Sequence, residues 1–205
     1  MTEKKDIFTI RRDTRRQLIE DFLRKRYAPE FIQEDYEDEN TKIWKIRHDD
    51  TYTYDAVTHV IEKVDGKVVE TLTVSVAITR PFVTELDGTK KWKKVFDRLH
   101  KILDRIDTHV GNMKLYLTLD DDIKFFNEWG MEVWGGFVSI NAELEFEIGD
   151  VVDVGDFLAF TLNDEFTMVI LDFLRRQFKP LKKLWDITEE LADYYSPKWG
   201  VCPPD

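Results

Sequence analysis

The sequence predicts an α+β fold, a mostly antiparallel sheet with three to four helices packed on it, in a single domain over residues 1–205. Three observations carry that expectation. Asp65-Gly66 sits between two long alternating runs, the signature of a tight hairpin. From Met113 to Leu119, and again around Leu144, apolar residues recur at every second position, as in half-buried strands. From Lys90 onward the spacing becomes helical, and Trp92, Val95, Phe96, Leu99, Ile102, Leu103 and Ile106 fall in one arc of about 120°.

In chain order, residues 13–26 read as a helix with Asp13 at its N-cap and Leu18, Ile19, Phe22 and Leu23 on its apolar side. Arg15 and Arg26 intrude on that arc, so the face is mixed. Residues 28–40, with Pro29 and the acidic knot Glu34-Asp35-Tyr36-Glu37-Asp38-Glu39, read as a loop, so that residues 1–40 form an N-terminal helix and acidic loop. A strand over 42–47 precedes the hairpin, 52–64 and 67–79, in which Asp65-Gly66 supplies the positive-φ positions of a type I′ turn. Its second arm puts Leu72, Val74, Val76 and Ile78 on one face and Thr71, Thr73, Ser75, Ala77 and Thr79 on the other.

The amphipathic helix is expected over 90–109, with Gly111 as its stop. A strand over 113–119 leads into Asp120-Asp121-Asp122, read as the start of a short helix through Trp129. Residues 131–140 are strand-like, with Gly135-Gly136 as a bulge or bend, and a further strand surrounds Leu144. Residues 157–174 fit a hairpin turning at Asn163-Asp164, or a strand and then a buried helix. The helix, 164–178, is preferred because Arg175 and Arg176 suit its last turn and Pro180 follows. Residues 181–195 form a last amphipathic helix and 196–205 an irregular tail. Trp92, Phe96, Leu99, Leu115, Leu117, Phe146 and Leu184 are the expected core.

Composition excludes several classes. The lone Cys202 excludes a disulfide scaffold and suits a reducing, cytoplasmic compartment. The first residues lack the apolar stretch of a secretory signal, and the strongest apolar run, 166–174, is too short to span a bilayer, so no membrane association is expected.

Motifs for chemistry are missing. No G-x-G or Gly-Lys-Ser/Thr exists to cradle phosphates, and no G-x-S-x-G elbow carries a serine nucleophile. His48, His59, His100 and His109 lack ligand spacing, and His48-Asp49-Asp50 is as well explained by a turn. Asp150, Asp153 and Asp156 lack the pattern of a calcium loop. The best catalytic or metal alternative is Asp120 and Asp122 with Lys124. There a carboxylate would hold Mg²⁺ and the lysine would steady a water, with Glu143 or Glu145 as further ligands. Asp65-Gly66-Lys67 repeats the same D-x-K triplet in a plain turn, which shows how cheap the match is. No cofactor is expected.

Charge is segregated. The net charge is −11, yet residues 115–165 hold one basic group, Lys124, against thirteen acidic ones, while residues 81–114 carry a net +3. Lys90, Lys91, Lys94, Arg98, Lys101 and Arg105 project within a 100° arc as a cationic stripe beside the apolar face of their helix. Glu143, Glu145 and Glu147 project together at period two as an anionic ladder. Like charges on one strand face repel and call for water, cations or a basic partner.

These features point to a non-enzymatic assembly or protein-interaction protein that uses the basic surface (90–105) and the acidic one (115–165), through self-association or a protein partner. Small, motif-free acidic chains are common among phage and virus proteins, so a viral structural or accessory role, inside a virus particle, fits the same reading. Two alternatives stand beside it: an acidic nucleic-acid mimic that inhibits a nucleic-acid-binding enzyme, and a metal-dependent nuclease or hydrolase. Nucleic acid has one route to the chain, the Lys90–Arg105 stripe.

Overall fold

A computed structural model describes residues 6–48, 53–84, 90–126 and 132–195. The elements in chain order are α1 (Ile7–Arg26), a 3-10 turn (Pro29–Phe31), β1 (Ile32–Glu37), β2 (Thr41–Arg47), β3 (Tyr54–Val64), β4 (Lys67–Ala77), β5 (Phe82–Val83), α2 (Lys90–Leu103), β6 (Asp107–Val110), β7 (Met113–Phe126), β8 (Glu132–Glu147), α3 (Val154–Thr161), α4 (Asp164–Gln177) and α5 (Leu181–Tyr195). The α+β class holds. Among the described residues there are five α-helices rather than three to four, because 154–161 forms a helix of its own before the one expected over 164–178.

One antiparallel sheet runs β1-β2-β3-β4-β8-β7-β6, with β5 pairing β8 beyond the end of β4. Asp65 (φ 50°) and Gly66 (φ 79°) make the positive-φ turn between β3 and β4. The period-two pattern then decides which face is buried. Val57, Leu72, Val74, Ala142, Phe146, Leu115 and Leu117 lie on one face, and every α-helix packs there. α1 and α3 cover the β2–β4 side, setting Ile19, Leu23 and Leu158 against Trp44, Val57 and Leu72. α2, α4 and α5 cover the β7–β8 side, setting Leu99, Leu174, Leu181 and Leu184 against Leu115 and Ile140. Each fully buried leucine of this kind contributes about 1.5–3 kcal/mol of hydrophobic stabilisation.

Several local expectations are corrected. α1 begins at Ile7, not near Asp13. Asp6 caps it by accepting the Thr9 N–H at 2.8 Å, and Phe8 anchors the first turn against Ile61 and Val68. The acidic stretch read as a loop contains β1, an edge strand paired to β2 with a shift between Glu34 and Tyr36. Its carboxylates are tolerated because Arg16, Lys42 and Lys45 meet Glu37, Glu34 and Asp35. α2 stops at Leu103, and the residues expected to finish it form β6, where the β-branched Thr108 and Val110 pair with β7. Gly111 (φ 61°) therefore serves the β6–β7 turn.

Asp120-Asp121-Asp122 starts no helix. The chain continues as β7 to Phe126, held by twelve-residue-deep pairing along β8, and the two expected strands of 131–148 are the single strand β8. The bulge assigned to Gly135-Gly136 sits on β7 between Asp120 and Ile123, and Gly136 faces it. A Cβ on Gly136 would overlap the Asp120 carbonyl oxygen and lie 3.0 Å from Asp121 Cα. The expected strand at 157–162 is instead α3, capped by Asp153, which accepts the Asp156 N–H at 2.9 Å. α4 follows after Asn163, its N-cap.

The mixed face of α1 is explained by ion pairs. Glu70 of β4, fully buried, accepts from Arg11 at 2.5 Å, Arg15 at 3.0 Å and His59 Nε2 at 3.1 Å. Burial pushes its carboxyl up, but the hydrogen bonds from His59, Arg15 and Arg11 and the charge of Arg15 outweigh that and hold it down at about 2. Burial also keeps His59 below its usual value. Buried Lys42 meets Glu20 at 2.6 Å, and Arg26 donates to the Leu162 carbonyl at 2.9 Å.

Two predictions follow from these contacts. Gly136→Ala forces backbone apart and should cost about 3 kcal/mol or more in urea denaturation, against about 1 kcal/mol for Gly66→Ala in its open turn. Glu70 contributes stability that is present above its ordinary value of 4.5 and is lost as pH falls toward 2, and the depressed His59 loses its share below 6.5. Glu70→Gln should thus be about 3 kcal/mol less stable than the parent at neutral pH, with the gap closing toward the Glu70 value of about 2. A constant gap across that range would contradict the assignment.

Candidate functional site

α2 lies with Val95, Leu99, Ile102 and Leu103 buried against the sheet and α5, which turns its cations outward. Lys94, Arg98 and Lys101 are exposed on the helix, and Arg105 follows in the turn after it, its N–H bonded to the Ile102 carbonyl at 3.2 Å. Lys90 and Lys91 stand in the first turn of α2, but their side chains fall outside the described residues, as does that of Trp92. The stripe is one wall of a cleft. Arg98, Lys101, Ile102 and Arg105 face Lys179, Pro180 and Lys183, from the α4–α5 connection and the start of α5, around a cavity of about 310 Å³. Five cations and no carboxylate line it, and among the described residues no ion pair engages any of the five.

The ladder lies on the other side of the sheet. Glu143, Glu145 and Glu147 alternate with Ala142, Leu144 and Phe146, which face the helices, so the glutamates point to the face on which no described helix packs. Neighbours on that face partly answer their charge. Tyr116 donates to Glu143 at 3.0 Å, and Lys67 meets Glu147 at 3.1 Å, while Glu145 is exposed. A hydrogen-bonded network stands in for a helical cover here. Ser75 donates to the Asn141 carbonyl oxygen at 2.5 Å, and the Asn141 amide donates to Thr118 at 2.9 Å and to the Tyr116 carbonyl at 3.3 Å.

Of the catalytic alternative, Asp120 and Lys124 lie among the described side chains. Asp120 accepts from the Tyr54 hydroxyl beside the β7 bulge, and Lys124 lies over the Trp134 ring at 4.8 Å. The Asp122 side chain falls outside the described residues. Asp120 pairs with Phe137, and Glu143 and Glu145 are six and eight residues further along β8, roughly 20 Å away or more. Among the described residues, no three His, Cys, Asp or Glu side chains gather closely enough to hold a metal.

Other singled-out residues have local duties. His48 bonds Asp55 at 2.9 Å, which raises its affinity for a proton, while Asp49 and Asp50 lie outside the described residues. Asp150 and Asp153 accept backbone N–H groups in the turn before α3. Cys202, Trp129 and Trp199 lie outside the described residues. Sequence reasoning missed Lys179 and the part played by Lys183. Their only sequence signal is that they flank Pro180 at a helix start, and nothing local says that α2 lies opposite.

Burial and the neighbouring Glu143 push the Tyr116 hydroxyl up to about 12. A raised tyrosine contributes stability that is complete below its ordinary value of 10.0 and is lost as pH rises toward 12. Denaturation midpoints should fall through that interval in the parent and fall less in Tyr116→Phe. Equal slopes would place Tyr116 in an ordinary solvated setting.

No helix among the described residues is long and apolar enough to cross a membrane. No protein-family model matches the chain, and no curated protein or solved structure matches it significantly, so the reading of function rests on these two faces.

Proposed function

We propose that the chain is a non-enzymatic interaction protein whose copies associate head to tail, the cationic face of α2 docking on the glutamate face of the next copy. The observation that carries this reading is the placement of the two charges on opposite sides of the sheet. A helical layer and the sheet separate them by roughly 10 Å between layer planes and a helix radius beyond, so the stripe of one copy cannot reach its own ladder. A contact between unlike patches is heterologous, and it repeats in rings or open chains. Large apolar side chains are also exposed on the helical layer, Phe160 at 58%, Met168 at 64% and Val169 at 65%, as contact surfaces between proteins require.

Light scattering on a sizing column tests the proposal. The expected mass exceeds the 24.4 kDa monomer at low salt and falls to it at high salt. Lys101→Glu and Glu145→Lys should each be monomeric alone. Mixed together they should reassociate, because the intact stripe of Glu145→Lys meets the intact ladder of Lys101→Glu and the two reversed charges are again opposite in sign. A parent chain that stays monomeric at every concentration and salt level ends this reading.

A further inference from the structure

The α2–α5 cleft has a property that docking of copies does not require: its five exposed cations line both sides of a half-open cavity. Arg98, Lys101 and Arg105 form one wall and Lys179 and Lys183 the other. We propose that this cleft binds a compact anion carrying two or three linked phosphate groups.

The size is right for a small ligand and small for a polymer. About 310 Å³ is at the lower end of small-molecule sites. Five residues of α2, about 7.5 Å of axis, separate Arg98 from the helix end at Leu103, and Arg105 lies in the turn beyond it, with Lys101 between the two arginines. One phosphate cannot reach both arginines, whereas a short chain of phosphates can. The guanidinium forks match tetrahedral oxyanions bidentately, and the two lysines opposite add point charges. Ile102 and Pro180 give the cleft apolar flooring, which strengthens charge–charge attraction relative to open water. The positive end of the α5 dipole, just after Pro180, adds to the same sign.

An extended polyanion fits less well. At 100° per residue, Asp97 lies on the flank of α2 away from Ile102, Asp104 follows directly after the helix, and both are exposed. A nucleic-acid strand crossing α2 meets those carboxylates, whereas a ligand held between α2 and α5 does not. Two other described charged clusters are engaged internally: Glu70 by three partners, and Lys42 by Glu20, Glu34 and Glu37. Among the described residues, no ion pair answers the cations of the cleft.

Calorimetric titration with inorganic tripolyphosphate tests this, at dilution where sizing shows a monomer, so that the outcome is independent of self-association. One tripolyphosphate per chain should bind, with affinity falling as salt rises. Lys101→Gln with Lys183→Gln should weaken it by about tenfold per cation removed. Lys67→Gln, which removes one charge on the far face, should leave it within about twofold. Arg105→Gln carries the same expectation should the double variant lose its fold by circular dichroism. Three results would overturn the proposal: no binding at millimolar tripolyphosphate, an equal loss in Lys67→Gln, or duplex DNA bound more tightly through the same residues.

Discussion

The fold depends on a sheet that turns one long apolar face to the helices. Along 70–76 of β4, 113–117 of β7 and 140–146 of β8 the sides alternate, so Leu72, Val74, Ala142, Phe146, Leu115 and Leu117 share one side and Thr71, Thr73, Ser75, Asn141, Glu143 and Tyr116 share the other, where Phe137 alone among the large described β8 side chains is buried, against Tyr54. A one-residue slip anywhere along β8 would turn its apolar set to water, so the register is held by burial. The apolar side has to be covered and draws all five α-helices to it. The polar side then has to satisfy itself, and Asn141 does so by joining β4, β7 and β8 through its amide. The separation of basic and acidic surfaces is a consequence. The cations ride on the outside of the helical cover, and the glutamates stand on the uncovered side.

Within that frame, the two halves of the helical layer are held in different ways. α2, α4 and α5 adhere by leucines and isoleucines, with little polar content at the contact. α1 adheres by a smaller apolar set supplemented by arginines seated on a buried carboxylate. Charge in such a place is costly to desolvate, and Glu70 is acceptable only because three donors surround it. His59 completes the site while its Nδ1 has no hydrogen-bond partner among the described residues, as is true of Trp44 Nε1 and Arg16 Nε. The α1 seat therefore responds to a change in protonation, through Glu70 and His59.

Sequence reasoning read the elements with the strongest periodicity and stumbled where pairing overrode local preference. The hairpin at Asp65-Gly66, the apolar arc of α2, the alternation of 113–119 and the amphipathic α5 are all found where their spacing put them. The acidic stretch before residue 40 looked like a loop because its side chains are polar at nearly every position. It is a strand because an edge can carry charge when lysines and an arginine on the next elements face it. Asp120-Asp121-Asp122 looked like a helix start because aspartates favour caps. It is a bulge because β8 offers a partner along its whole length and Gly136 leaves room for it.

By itself, then, the sequence determined the α+β class, the faces of the strongest strands and helices, and the existence of a cationic stripe and a glutamate ladder. These are properties of residue spacing, which 3.6- and 2-residue periods translate directly into sides. Only the tertiary structure decided that the stripe and the ladder lie on opposite sides of one sheet, that Lys179 and Lys183 close the stripe into a cleft, and that Asp120 stands far from Glu143. Those facts depend on which distant segments meet, and no local spacing encodes that meeting.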